Sequence, residues 1–292
     1  MPPAALRPEA LPAGTHLGRV RIERLIARGA SSTVYAAIDE ASDSAVAVKV
    51  LHAAVSDDEA AAAEACTRFL HEAERASRLL HTGIVRLYGG GCVQGLVFVV
   101  MELLPGVDLT RYTQASRLLP EALALDIAAR LAEALAHAHR EGMVHRDVKP
   151  ANVMFDPATG SVKLADFGLA RSVDAEATRS GVLLGSPAYM APELMAGARA
   201  DAGSDLYALG VLLFELLTGR LPFEGDSMGS LLRAIATHEP HSVLALRPDL
   251  LMAQAAALDT VLAPVRKRAP SERLSDGDAW ARALSEVVRS VF

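Results

Sequence analysis

The sequence predicts an α+β protein of two lobes, a small β-rich one followed by a larger helical one. Two observations carry this. From Arg19 to about Met101 apolar residues alternate at period two, in VRIERLIA, STVYAAID and SAVAVKVL, interrupted by one alanine-rich helix. After Pro120 the period becomes helical, in PEALALDIAARLAEALAHAHREG and in the apolar run LYALGVLLFELL over 206–217. A cleft is expected between two such lobes.

Each element has its own local reason. Residues 1–15 are rich in Pro and Ala without a period and read as a loose tail, ahead of a first lobe over 16–104. SDDE at 56–59 has capping-box spacing, Ser56 with Glu59, and opens the helix of that lobe, which runs to about Leu80. Two more strands follow in GIVRLYG and GLVFVVM. The second lobe, 105–292, begins its long helix with Pro120 in the first turn and ends it at Gly142. Leu123, Ile127, Leu131 and Leu135 make the apolar stripe of that helix. A helix from about Ser204 to Leu217 is apolar nearly all round and belongs in the middle of its lobe. Weaker helices are expected at about 226–237, 253–264 and 276–290.

Bulk properties exclude several classes. A net charge of −6 gives no global reason to bind nucleic acid, so affinity for phosphate has to be local. The longest apolar run is too short to span a bilayer, and no basic leader precedes an apolar core at the N-terminus, so the chain reads as cytoplasmic. Two cysteines, Cys66 and Cys92, are too few for a disulfide framework, which fits a reducing compartment. Both read as small buried filler.

The most informative stretch is VHRDVKPANVMF at 144–155, a loop held between a long helix and a short strand. It places Asp147, Lys149 and Asn152 within six residues, and DFG follows at 166–168 and APE at 191–193. With these motifs in this order, the chain resembles the protein kinase family from about His16 to Val288, and its tail details are similar to the bacterial serine/threonine branch. The resemblance implies the two-lobed kinase fold, with ATP and Mg²⁺ as cofactors and protein serine or threonine hydroxyls as acceptors.

Phosphoryl transfer needs an in-line hydroxyl, neutralised charge and excluded water. The resemblance implies that Asp147 orients the hydroxyl and accepts its proton, that Lys149 touches the transferring phosphate, and that Asn152 and Asp166 supply hard oxygen ligands to the metal. Upstream, AVAVKV puts Ala47 and Lys49 on one strand face and Val46, Val48 and Val50 on the other. Ala47 suits an adenine ring, and Lys49 needs an anionic partner, for which Glu72 on the lobe's helix is the candidate.

IARGASSTVY, taken alone, reads as a plain hairpin. In register with Lys49 it becomes a phosphate lid that keeps one of three family glycines, Gly29, with Ala27 and Ser32 at the other two places. Ile26 and Val34 flank it, Val34 as part of the adenine roof, while Ser31 and Ser32 bring hydroxyls near the phosphates. Met101 matches the gatekeeper position, Glu102 and Leu104 offer backbone groups to the adenine edge, Asp108 points to the ribose and Met154 packs below the ring.

Arg146 implies activation by an anion arriving in the segment between Asp166 and Glu193, with Thr178 and Ser180 as phosphate acceptors, through self-association and trans-autophosphorylation. Ser186 stands where the family usually has Thr. Glu193 and Arg273 match a buried ion pair, and Asp205 is placed to brace the catalytic loop backbone. His137 and His139 diverge on their helix and His145 fits a packing role, which argues against a metal. A pseudokinase would ordinarily lack Lys49, Asp147 or Asp166, and all three are present. GSPAYMAPE and Lys149 favour a peptide acceptor over a small molecule.

Overall fold

The computed structural model describes residues 11–29, 31–52, 59–167 and 187–292. They fall into two compact units. One holds the described residues up to His81 and Val85–Pro105, and the other holds Thr82–Ile84, Gly106–Phe167 and the residues from Pro187 on.

The first unit is built on a six-stranded sheet of spatial order β1-β2-β3-β4-β6-β5, antiparallel throughout. Its strands are β1 (His16–Leu17), β2 (Val20–Arg28), β3 (Ser32–Asp39), β4 (Ser44–Leu51), β5 (Leu87–Val93) and β6 (Leu96–Glu102). Alternation decides which face is dry: Ile22, Tyr35, Ala37, Val46, Val48, Val50, Phe98 and Val100 form one apolar cluster. Leu11 joins that cluster, and its N–H donates to the Tyr35 hydroxyl at 3.0 Å. Gly14 N–H also donates to the Ile22 carbonyl at 2.8 Å. The loose tail expected over 1–15 is therefore seated on the sheet from residue 11, because one leucine finds an apolar pocket that composition did not reveal. Helix α1 (Glu59–Ser77) buries Phe69, Ala73 and Ala76. Ser56 of the expected capping box lies outside the described residues.

The cysteines overturn their sequence reading. Cys66 on α1 and Cys92 on β5 form a disulfide with a Cα–Cα distance of 6.8 Å, and Cys92 is exposed rather than buried. Nothing in a spacing of 26 residues announces this, since the pairing comes from docking α1 beside β5.

The second unit centres on helices α2 (Glu121–Arg140) and α4 (Ala202–Thr218). The apolar face of α2 is wider than the predicted stripe, because Ala124, Leu125, Ala128, Ala132 and Ala138 are buried with Ile127, Leu131 and Leu135. Alanines allow this, since backbones can approach closely wherever no long side chain intervenes. Helix α4 has Asp201 as N-cap in a reciprocal pair with Ser204 and closes on Gly219 at φ 70°, and all of its residues but Ala202 and Glu215 are buried. It is the central helix that the sequence anticipated.

The remaining helices are α3 (Pro192–Met195), α5 (Met228–Thr237), α6 (Val243–Leu246), α7 (Met252–Leu262) and α8 (Gly277–Val291). At the start of α8, Gly277 lies so close to α2 that a Cβ would sit 2.5 Å from the Ala132 carbonyl oxygen. Trp280 on α8 is fully buried and donates from Nε1 to the Val261 carbonyl at 2.9 Å. A three-stranded sheet, β7 (Val107–Asp108), β8 (Val153–Asp156) and β9 (Ser161–Leu164), carries the loop of interest on one side. Among the described residues, no helix is long and apolar enough to cross a membrane.

Candidate functional site

Residues 141–152 connect α2 to β8, and their backbone is fixed from below. Asp205, in the first turn of α4 and 2% exposed, accepts three bonds on its carboxylate. His145 N–H donates at 2.7 Å, Arg146 N–H at 2.8 Å and His139 Nε2 at 2.8 Å. A buried carboxylate with three donors holds the loop more firmly than neutral hydrogen bonds do. The bracing role expected of Asp205 is present, and His139, read from sequence only as diverging from His137, is part of it. His145 is buried, its Nε2 donates to the Ala165 carbonyl at 2.7 Å and its Nδ1 accepts from Asp147 N–H at 3.2 Å. Its ring meets Phe167 edge-on, with centroids 4.6 Å apart.

On this base, three side chains converge. Lys149 Nζ donates to Asp147 Oδ2 at 2.6 Å, and Asn152 Nδ2 donates to the same oxygen at 2.9 Å and to the Asp147 carbonyl at 2.8 Å. Oδ2 thus carries two bonds, while Oδ1 of Asp147 and Oδ1 of Asn152 have no partner among the described residues. Asp147 is about a quarter exposed, so its open oxygen is within reach of solvent or a ligand. The Asn152 carbonyl accepts from Ala165 N–H at 2.8 Å, and β8 pairs with β9 from Val153 opposite Leu164, which places Asp166 just beyond the loop. Arg146 and Asp166 both adopt positive φ, 73° and 69°, as do Asp43 and Gln94 in hairpin turns of the first unit, a strain of roughly 1–3 kcal/mol each.

Tyr189, Met190, Ala191 and Leu194 line a 50 Å³ cavity together with Arg146 and Asp147. Tyr189 donates its hydroxyl to the half-buried Glu215 of α4. Burial, then the Glu215 charge, push the Tyr189 phenol well above its usual range. Burial likewise raises Glu215, against the opposing Tyr189 hydrogen bond. Behind them, Arg273 makes a bidentate pair with Glu193 at 2.5 and 2.9 Å. Sequence matching found the Glu193–Arg273 pair but not Tyr189–Glu215, whose partners are 26 residues apart.

The other expected site residues lie as follows. In the first unit, Ala27 pairs in register with Val34, Val34 with Lys49 and Ala47 with Met101. Ile26 and Ala27 are exposed at the end of β2, and Gly29 N–H donates to the Ser32 carbonyl at 2.8 Å, closing the turn. Ser31 is exposed, whereas Ser32 is buried at the start of β3. Lys49 and Glu72 are half-buried on β4 and α1. Glu102 binds Arg86 through both backbone and side chain, and Leu104 follows β6 half-exposed. In the second unit, Asp108 and Met154 are cross-strand partners of β7 and β8, and Asp108 caps the turn that follows by accepting from Thr110 N–H at 3.0 Å. Thr178, Ser180 and Ser186 lie outside the described residues.

For a divalent metal, the observed donors fit: Asn152 Oδ1 and the Asp166 carboxylate are hard oxygens, the type Mg²⁺ takes one or two at a time beside phosphate oxygens and water. Among the described residues, no cluster of three or more His, Cys, Asp or Glu forms a cage of its own.

Comparison with known proteins follows the same lines. The sequence model of the protein kinase domain matches residues 20–282. The chain is 40% identical over 215 residues to the serine/threonine-protein kinase PrkC of Bacillus subtilis, covering 73% of this chain and 32% of that protein. It is 36% identical over 274 residues to the serine/threonine-protein kinase PknL of Mycobacterium tuberculosis, covering 94% of this chain and 66% of that one. It therefore spans from about a third to two thirds of the length of these curated relatives. Among solved structures, that of Rad53 1-466 in complex with AMP-PNP is similar at a TM-score of 0.71 and 26% identity, covering 89% of this chain and 63% of that one.

Proposed function

The chain belongs to the protein kinase domain family, and from that premise we propose that it transfers the γ-phosphate of ATP to serine or threonine hydroxyls of protein substrates. The observation that carries this reading is the Asp147 carboxylate, with one oxygen held by Lys149 and Asn152 and the other open.

The open Oδ1 of Asp147 orients the acceptor hydroxyl and takes its proton as the oxygen attacks phosphorus. Lys149, already at 2.6 Å from the carboxylate, turns its ammonium towards the charge that develops on the phosphoryl oxygens. Asn152 and Asp166 would hold Mg²⁺, which would supply charge neutralisation on the phosphates. Lys49 and Glu72 act on the same triphosphate, Glu72 steadying the lysine. Ile26, Ala27, Gly29, Val34, Ala47, Met101, Glu102, Leu104, Asp108 and Met154 are assigned to the nucleotide. On this reading the lobes are 16–104 and 105–292, and the working compartment is the cytoplasm.

The deciding experiment incubates the purified chain with radiolabelled ATP and a generic basic protein, wild type against Asp147→Ala. Label on serine or threonine of the acceptor with wild type alone supports the reading. Label with neither, or equally with both, contradicts it.

Two further expectations arise here. Arg146 is exposed and its guanidinium has no partner among the described residues, which suits a phosphate supplied by Thr178 or Ser180. Mapping after ATP incubation should find one of the two modified and activity raised; both unmodified at unchanged activity would remove autophosphorylation from the scheme. Ala27→Gly restores a flexible lid position and should alter ATP affinity by less than about tenfold, or about 1.4 kcal/mol. A loss as complete as that of Lys49→Met would refute the lid assignment.

A further inference from the structure

Helix α1 carries Glu72 and lies beside strand β5 of the sheet. Among its described side chains, those fully buried are Phe69, Ala73 and Ala76. The strand beside it, β5, reads LYGGGCV, and a Cβ on Gly90 would come 3.5 Å from Leu70 Cδ2 of the helix. A run of glycines offers bare backbone, on which a helix can shift without lifting one side chain past another. At one end of this smooth contact, Cys66 of α1 is bonded to Cys92 of β5. Cys66 is half-buried and Cys92 exposed, so Cys92 is the half of the bridge more accessible to a small thiol. Cys66 lies six residues before Glu72, about 9 Å along the helix at 1.5 Å per residue.

We propose that Cys66 and Cys92 are a reversible thiol–disulfide site, whose oxidation state sets how firmly α1, and with it Glu72, is held on the sheet. Reduction takes a low-molecular-weight dithiol. One of its thiolates attacks Cys92 Sγ, the S–S bond breaks and Cys66 leaves as a thiolate that takes up a proton. The second thiolate then displaces Cys92, and the dithiol departs as its cyclic disulfide. Two electrons and two protons pass to the protein. Reoxidation uses a small-molecule disulfide, which gives up its bond and leaves as two thiols. A pair of this kind is compatible with a reducing compartment, where disulfides that form are mostly transient and redox-sensing. The bridge closes a separation of 26 residues, so its loss frees the helix from a sizeable chain constraint.

The test does not depend on catalysis, so it stands or falls separately from the proposed transfer reaction. The purified chain is equilibrated with oxidised glutathione or with dithiothreitol. Thiols are counted by iodoacetamide labelling and mass spectrometry, and amide hydrogen exchange is followed over residues 59–77. Oxidation should leave neither cysteine labelled, reduction should leave both labelled, and exchange near Glu72 should be about tenfold or more faster after reduction. Cys66→Ser and Cys92→Ser should each exchange like the reduced wild type whatever the oxidant. Full labelling of both cysteines after oxidation, a bridge between two chains, or exchange over 59–77 that is the same in both states would overturn the proposal. The wild-type comparison alone decides if either serine variant fails to fold.

Discussion

Replacing Asp147 with Asn should lower kcat for phosphoryl transfer by about 10²–10⁴-fold, the range a positioned general base contributes. Asn fills the same volume and still offers an oxygen, so Lys149 and the Asn152 amide can be accommodated at the loop. It cannot accept the hydroxyl proton. Asp205 secures the loop backbone through His145 and Arg146 independently of residue 147, so the fold and the nucleotide contacts should survive. KM for ATP is accordingly expected to stay within about threefold of wild type, the signature of an interaction made mainly in the transition state. Steady-state kinetics with varied ATP and a fixed peptide acceptor separates the two parameters. An Asn variant with kcat within tenfold of wild type would mean that the proton goes elsewhere.

The second large effect is on stability. Arg273 has no exposed side-chain surface, stacks over Tyr207 at 5.0 Å and binds both oxygens of Glu193. It also donates to the Lys267 and Arg268 carbonyls at 2.9 and 3.1 Å. Arg273→Ala strands the Glu193 carboxylate and two carbonyls, and removing one partner of a buried pair costs about 3–5 kcal/mol. At about 2–4 °C per kcal/mol for a chain of this size, Tm should fall by about 6–20 °C in differential scanning calorimetry. Arg273→Lys keeps the charge but loses the planar fork, so it should recover only part of the loss. A Tm within about 2 °C of wild type for the Ala variant would show that the pair contributes nothing net.

Much of this was legible in the sequence, and the division has a physical basis. Strands β3 and β4 and helices α2 and α8 are long enough for a period to emerge, while α4 is buried nearly all round, as its unbroken apolar run requires. Helices α3 and α6, of four residues each, contain barely one turn and have no period to read. The register shifts between β2 and β3 depend on paired backbones rather than on either strand alone.

The Asp147, Lys149 and Asn152 cluster was readable because all three lie in one short loop whose string is distinctive. His139 joining Asp205 across 66 residues, Tyr189 joining Glu215 and Cys66 joining Cys92 are products of tertiary packing. None leaves a local mark. The cysteines misled for the same reason, since a count of two says how many bridges are possible but not whether the fold brings them together.

One titration bears most directly on the proposal that Lys49 and Asp166 act on the same nucleotide. Calorimetric binding of ATP with and without Mg²⁺ should give one site per chain for wild type. Lys49→Met and Asp166→Asn should each weaken Mg²⁺-dependent binding by about tenfold or more, and their combination should leave no additional site. Two sites per chain, or full Mg²⁺-dependent affinity retained by the Lys49→Met variant, would contradict it.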